Sequence, residues 1–185
     1  MNALLGLVVL VLVLLAWMAA AYNRLVRGRN TVDEAWATVD TELRRRYDLI
    51  PNIVETVKGY AAHEKDTLNA VVEARNRAAS ASGPAEQAAA DNILTGALRQ
   101  LFALAEAYPN LKANENFLQL QGELSRTEDR IQESRRYYNA AVRDFNNRAE
   151  TFPTNIVASA FSFGRREFFE LEDEEAREAP QVSFG

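Results

Sequence analysis

Ala3 to Ala21 reads ALLGLVVLVLVLLAWMAAA, with no charged side chain anywhere in it. No other stretch constrains this chain as strongly. At about 1.5 Å per helical residue the run covers close to the ~30 Å hydrocarbon core of a bilayer. Its seven leucines and four valines each favour insertion by roughly 0.3 to 0.6 kcal/mol, and no charge opposes them. Trp17 and Tyr22 fall toward one end, where amphipathic rings settle at the lipid–water interface. A cleaved signal peptide is the competing reading, and Ala19-Ala20-Ala21 would supply its small-residue cleavage site. Against that, Met1-Asn2 carries no basic side chain, and the apolar stretch exceeds the usual ~7 to 15 residues. The run therefore reads as a transmembrane anchor.

The flanks orient it. Arg24 is the first charged residue, and Arg27 and Arg29 follow. The bias of basic residues toward the cytoplasmic side predicts an outer N-terminus and a cytoplasmic C-terminal domain. The same arginines are placed to meet anionic head groups.

Beyond the anchor the apolar positions recur at steps of three and four: Val32, Trp36, Val39, Leu43, Tyr47, Ile50, Val54, Val57, Ala61, Leu68 and Val71. That is one stripe on a helix. Asp33, Glu34, Asp40, Glu42, Arg44, Arg45 and Arg46 stand between as a solvated face. Pro51 removes a backbone donor and crowds the preceding turn, so a kink or a restart is expected there, with Asp48 as its cap. Ser80-Ala81-Ser82-Gly83-Pro84 reads as a loop. A shorter helix follows over about 86–107, with Ile93, Ala97, Leu101 and Leu104 inward, until Tyr108-Pro109-Asn110 turns the chain. The last long helix runs from about Asn114 to Thr151. Its stripe of Phe117, Leu120, Leu124, Thr127, Ile131, Tyr138, Val142, Phe145 and Ala149 is close to the seven-residue repeat of a coiled coil. Phe152-Pro153 ends it.

Such helices must bury their apolar faces, and short loops between them lead to an antiparallel arrangement. The expected fold is all-α: an N-terminal transmembrane helix followed by an elongated antiparallel helical bundle of three to four helices. The expected divisions are an anchor over 1–22, a bundle over 23–152 and a Phe-rich acidic tail over 153–185. The second helix is too short to cover the whole first stripe, so the last helix, the continuation of the anchor or a second copy of the chain must cover the remainder, and self-association is inferred on that ground. In the tail, Phe161, Phe163, Phe168 and Phe169 precede the acidic run Glu172-Asp173-Glu174-Glu175 with Glu178. Either the phenylalanines dock on the bundle while the acids stay wet, or the segment recruits a partner.

The chemistry-bearing residues form no recognisable active site. Cysteine is absent, which excludes disulfides, thiolate metal sites, a Cys nucleophile and lipobox-type lipidation. The single histidine, His63, precedes Glu64, but the zinc-protease motif needs a second histidine one turn on, where Thr67 stands. Glu123, Glu128, Asp129 and Glu133 lie within a turn or two of Arg126, Arg130, Arg135 and Arg136, so ion pairing along the helix accounts for them better than a metal site. Arg44-Arg45-Arg46 points in three directions around a helix, which suits pairing with acids on a neighbouring helix better than phosphate binding. A net charge of −5 gives no general reason to bind nucleic acid.

These residues together resemble the LemA family of bacterial membrane proteins. The resemblance is carried by Tyr22-Asn23-Arg24-Leu25-Val26 through Arg29-Asn30, by Glu34-Ala35-Trp36, and by Arg45-Arg46-Tyr47-Asp48-Leu49-Ile50-Pro51-Asn52. It continues in Glu55-Thr56-Val57-Lys58-Gly59-Tyr60-Ala61, His63-Glu64 and Tyr108-Pro109-Asn110-Leu111-Lys112-Ala113-Asn114. It extends through Leu124, Thr127-Glu128, Arg130-Ile131, Tyr138-Asn139 and Phe152-Pro153-Thr154-Asn155. Asp129 stands where the family more often carries asparagine. The resemblance implies a short outer N-terminus, one span, a helical cytoplasmic domain, and a link to membrane organisation including magnetosome formation. It brings no catalytic residues.

The expected function is a membrane-anchored, non-enzymatic helical scaffold of the bacterial inner membrane, self-associating and organising other proteins. On that reading Trp36, Tyr47, Tyr138 and Phe145 carry packing. The alternative is an adaptor or regulatory subunit of a membrane protease or other membrane enzyme. Expected partners are membrane lipid through the N-terminal helix and either further copies of the chain or other membrane proteins. No catalytic, cofactor-binding or metal residue and no cofactor is expected.

Overall fold

The computed structural model describes residues 2–170, Asn2 through its backbone alone. Among these the secondary structure is entirely helical: α1 Asn2–Lys58, α2 Lys65–Ser80, α3 Pro84–Ala105, α4 Pro109–Lys112, α5 Glu115–Glu150 and α6 Thr154–Ala160. The acidic run from Glu172 lies outside the described residues. An N-terminal, membrane-length apolar helix followed by further helices is the architecture expected from the sequence.

Pro51 neither ends α1 nor restarts it; the helix continues to Lys58. The reason lies in where the missing donor is replaced. Without an N–H, Pro51 cannot bond the carbonyl of Tyr47, one turn back. Arg75 of α2 donates from Nε to that same carbonyl at 3.2 Å. The break comes instead at Gly59, where the carbonyls of Glu55 and Val57 accept the last backbone bonds from Gly59 and Ala61. The expected stripe from Val32 to Val71 therefore lies on two helices. Gly83, at φ +82°, makes the turn ahead of α3, and Pro84 follows in the first helical turn. Asn114 accepts from the Phe117 amide through Oδ1 at 2.9 Å and so caps α5.

Contacts divide the chain into two compact units. The first comprises Met1–Glu42 and Arg130–Phe168, the second Leu43–Asp129 with the described residues from Phe169 on. In the first unit α1 and α5 run antiparallel. Gly28 faces Phe145, and further along α1 the Trp36 ring meets Tyr138, earlier in α5, at 5.3 Å. Leu25, Val32 and Val39 of α1, and Ile131, Tyr138 and Phe145 of α5, are buried at intervals of seven.

In the second unit four helical segments alternate in direction. Tyr47 meets Arg75 of α2 and Gln87 of α3, while Tyr60 meets Asn114 at the start of α5. Leu43, Ile50, Ile53, Val57, Val71, Leu94, Leu101, Leu111 and Phe117 fill the interior. At roughly 1.5 to 3 kcal/mol for each large side chain removed from water, this burial is the main favourable term.

The inward face of α3 differs from the expected one. Ile93 is 46% exposed, and the buried positions are Gln87, Ala88, Ala90, Asp91, Leu94, Leu98, Leu101 and Ala105. Alanine and leucine occur all round α3, so apolar periodicity allowed neighbouring registers. The partner of Asp91 selects the one observed.

Candidate functional site

Three polar constellations are built into the two units. The deepest, in the second unit, centres on Arg46. Its seven-residue position continues the buried series Leu25, Val32, Val39 and Ile53, where an apolar residue is the ordinary occupant. Nη1 lies 2.8 Å from Asp91 Oδ1 and 3.3 Å from Glu128 Oε2, and Nη2 donates to Thr95 Oγ1 at 2.9 Å. Arg46 and Asp91 are 3% and 2% exposed in their side chains, whereas Glu128 is 33% exposed. α1, α3 and α5 are thereby tied at one level. Of the three consecutive arginines, Arg46 does pair with acids on neighbouring helices. A cavity of about 420 Å³ opens beside it, lined by Leu98, Phe102 and Leu124 on its apolar side and by Gln121, Ser125 and Asp129 on its polar side.

The second constellation closes one end of the same unit. Tyr60 accepts from Asn114 Nδ2 at 3.0 Å, and the Tyr108 hydroxyl donates to Glu64 at 3.3 Å. Burial and the Glu64 carboxylate both raise the Tyr108 pKa above its ordinary value. Leu111 is fully buried beneath this clasp. Three of the segments that carried the family resemblance, Glu55–Ala61, His63-Glu64 and Tyr108–Asn114, thus meet as a structural joint. His63 sits exposed in the turn between α1 and α2, not on a helix.

The third constellation belongs to the first unit and fixes the segment after α6 as a strap. Asn146 donates from Nδ2 to the Arg166 carbonyl at 2.9 Å and accepts from the Arg166 amide at 2.8 Å, so one side chain pairs with both backbone groups of one residue. The Tyr138 hydroxyl donates to the Glu167 carbonyl at 2.8 Å, and the Arg166 guanidinium reaches Asp33 at 2.9 Å. Burial pushes the Tyr138 phenol up to about 12; Arg166 opposes the shift, and Glu167 and Asp33 add to it. Tyr22 meets Phe161 and Phe163 edge-on at 4.9 and 5.6 Å, and Arg29 lies over the Phe163 ring at 5.5 Å.

Trp36, Tyr47, Tyr138 and Phe145 all take part in packing, as the sequence suggested. Periodicity did not single out Asp91, Gln87 or Asn146, because a polar residue within a helix carries no mark of burial. Among the described residues no three His, Cys, Asp or Glu side chains are grouped to hold a metal ion. The buried polar atoms hold helices and strap together.

A helix with an apolar stretch long enough to cross a membrane, running unbroken into helical packing, defines the class: a membrane-associated, all-α protein. A family model described as LemA family matches residues 35–184, and the chain belongs to the LemA family. It is 31% identical over 140 residues to Protein LemA of Metamycoplasma hominis, which covers 74% of this chain and 63% of that relative. It is 24% identical over 186 residues to Magnetosome protein MamQ 2 of Paramagnetospirillum magneticum, covering 86% and 68% respectively. Against Magnetosome protein MamQ of Magnetospirillum gryphiswaldense the identity is 23% over 174 residues, covering 80% and 64%. The chain thus spans about two thirds of the length of these curated relatives, none of which is named as an enzyme.

Proposed function

We propose that this chain is a membrane-anchored, non-enzymatic helical scaffold that associates with itself and organises proteins at the bacterial inner membrane. Its N-terminus lies outside and its helical domain faces the cytoplasm, as Arg24, Arg27 and Arg29 favour.

One observation carries the reading. Within the first unit α1 passes from the apolar stretch to Glu42 with no linker. A helix continuous with its anchor holds its surfaces at a set height from the lipid, where a flexible tether would let them wander. Confinement to a membrane raises the local concentration of such surfaces, so individually weak contacts become effective together. Large apolar side chains are available for them: Val72, Ile93, Leu118 and Tyr137 are all exposed outside the membrane-length stretch.

The absence of cysteine makes the test clean. Single substitutions Val72→Cys, Ile93→Cys, Leu118→Cys and Tyr137→Cys, oxidised or crosslinked in native membranes, are expected to trap a dimer or a constant heteromeric band from at least one position. Monomer alone from all four would overturn the scaffold reading.

A further inference from the structure

We infer that the first unit carries a binding site for the phosphate head group of an anionic phospholipid, with an apolar foot that enters the same leaflet. The inference rests on the membrane anchoring proposed above and goes beyond it by assigning a lipid class and residues.

The site is a cleft of about 620 Å³ lined by Arg24, Leu25 and Arg27 of α1, Arg148 of α5 and Thr154 of α6. Three guanidiniums from two antiparallel helices therefore face one space. Among the described residues no carboxylate forms an ion pair with any of them. Glu150, two residues after Arg148, pairs with Arg165, and Asp33 of α1 pairs with Arg166. Cations gathered around a cleft without a counter-charge repel one another, and an anion in the cleft relieves the repulsion. The Thr154 hydroxyl adds a neutral donor suited to a phosphate oxygen.

Height selects lipid as the source of that anion. The head-group layer adds about 5 to 7 Å to each side of the hydrocarbon core. At about 1.5 Å per residue Arg24 lies roughly 5 Å beyond Ala21, and Arg27 roughly 9 Å beyond it. Both guanidiniums, on long flexible stems, reach lipid phosphates from there. The turn after α6 stands at the same height, because Phe161 and Phe163 rest on Tyr22, the residue that follows the apolar stretch.

The second observation is independent of charge. α6 buries Val157 and Ala158 but leaves Ile156 59% exposed, with Phe152 before it at 76% and Phe161 after it at 50%. Three large apolar side chains around one short helix are costly in water and are favoured at the acyl boundary, where interfacial segments place theirs. Basic cleft and apolar foot on adjoining segments match the two ends of one lipid molecule.

The test uses the full chain in a non-ionic detergent, with bound lipid counted by native mass spectrometry against phosphatidylglycerol and phosphatidylcholine of the same acyl length. Phosphatidylglycerol is expected to be retained in preference. Arg148→Gln, far in sequence from the arginines that set topology, is expected to weaken its retention about fivefold while helical circular dichroism is unchanged. Arg143→Gln, exposed on α5 outside the cleft, should leave it unaltered. Should Arg148→Gln fail to fold, Arg24→Gln on the open face of α1 carries the same expectation. Ile156→Ser with Phe161→Ser is expected to weaken phosphatidylglycerol but not inorganic phosphate. Equal retention of the two lipids, equal losses from Arg143→Gln and Arg148→Gln, or displacement of the lipid by millimolar phosphate overturns the inference. Failure of the anchoring itself is read separately, as chain recovered outside the membrane fraction.

Discussion

Replacing Arg46 by methionine tests whether the buried charge is a structural pin of the second unit. At an effective dielectric of about 20, its 2.8 Å contact with Asp91 is worth roughly 6 kcal/mol. Bringing both ions out of water costs several kcal/mol apiece, so the pair as a whole lies near balance. Removing one partner keeps the cost of the other, because Asp91 is 2% exposed. Arg46→Met is therefore expected to destabilise the chain by about 3 to 5 kcal/mol. Glu128, 3.3 Å away but 33% exposed, is largely screened, and Glu128→Gln should cost under about 1 kcal/mol. The double variant Arg46→Met with Asp91→Leu replaces the ion pair by apolar groups of similar size and should recover most of the loss. Urea titration of the full chain in a non-ionic detergent, followed by helical circular dichroism, measures these three variants and Asp91→Leu alone. At a slope of about 2 kcal/mol per molar urea, the single variant should shift the midpoint by about 2 M. A double variant as unstable as the sum of its singles would show that the two charges are not coupled, and the reasoning would fail.

Two further outcomes follow from the first unit and its glycine. The Tyr138 phenol is raised to about 12 from 10.0, so the folded state holds that proton more tightly than the unfolded chain. The stability it contributes is complete below pH 10 and is lost as pH rises through 12, by up to about 3 kcal/mol; ultraviolet titration should show one late tyrosine that Tyr138→Phe removes. A Cβ on Gly28 would stand 3.2 Å from Cδ2 of Phe145, which is 1% exposed and has no room to retreat, whereas a Cβ on Gly96 meets nothing within 4 Å. Gly96→Ala should gain about 1 kcal/mol from helix propensity, and Gly28→Ala should fall below it by about 1 to 3 kcal/mol of overpacking. Equal thermal melts for the two would refute the close approach of α1 to α5.

How much was legible in advance differs from element to element. The stripe of α5 was readable because Phe117, Leu124, Ile131, Tyr138 and Phe145 leave polar residues on the other faces, and every one of the five is buried. The face of α3 was not, since Ile93 and Leu94 are equally apolar neighbours and only Leu94 is covered. Local chemistry marked Ser80–Pro84 as a turn, yet Pro51, an equally strong breaker, sits inside a continuous helix. What distinguishes them is Arg75, which comes from a different helix to bond the carbonyl that Pro51 leaves bare. The candidate lipid cleft was half visible: Arg24 and Arg27 follow the anchor in sequence, but Arg148 and Thr154 join them only through folding.

By itself the sequence determined the all-α class, the membrane-length helix and the placement of α3 and α5 within a few residues. These depend on periodicity, length and turn chemistry, which are properties of neighbours along the chain. Tertiary structure alone decided which face of α3 turns inward, that Pro51 is tolerated, that Arg46 meets Asp91, and that the segment after α6 is strapped down by Asn146 and Tyr138. Each of those depends on a donor or a charge supplied from a distant part of the chain, and a hydrogen bond or ion pair takes its value from distance and burial, which spacing along the sequence does not encode.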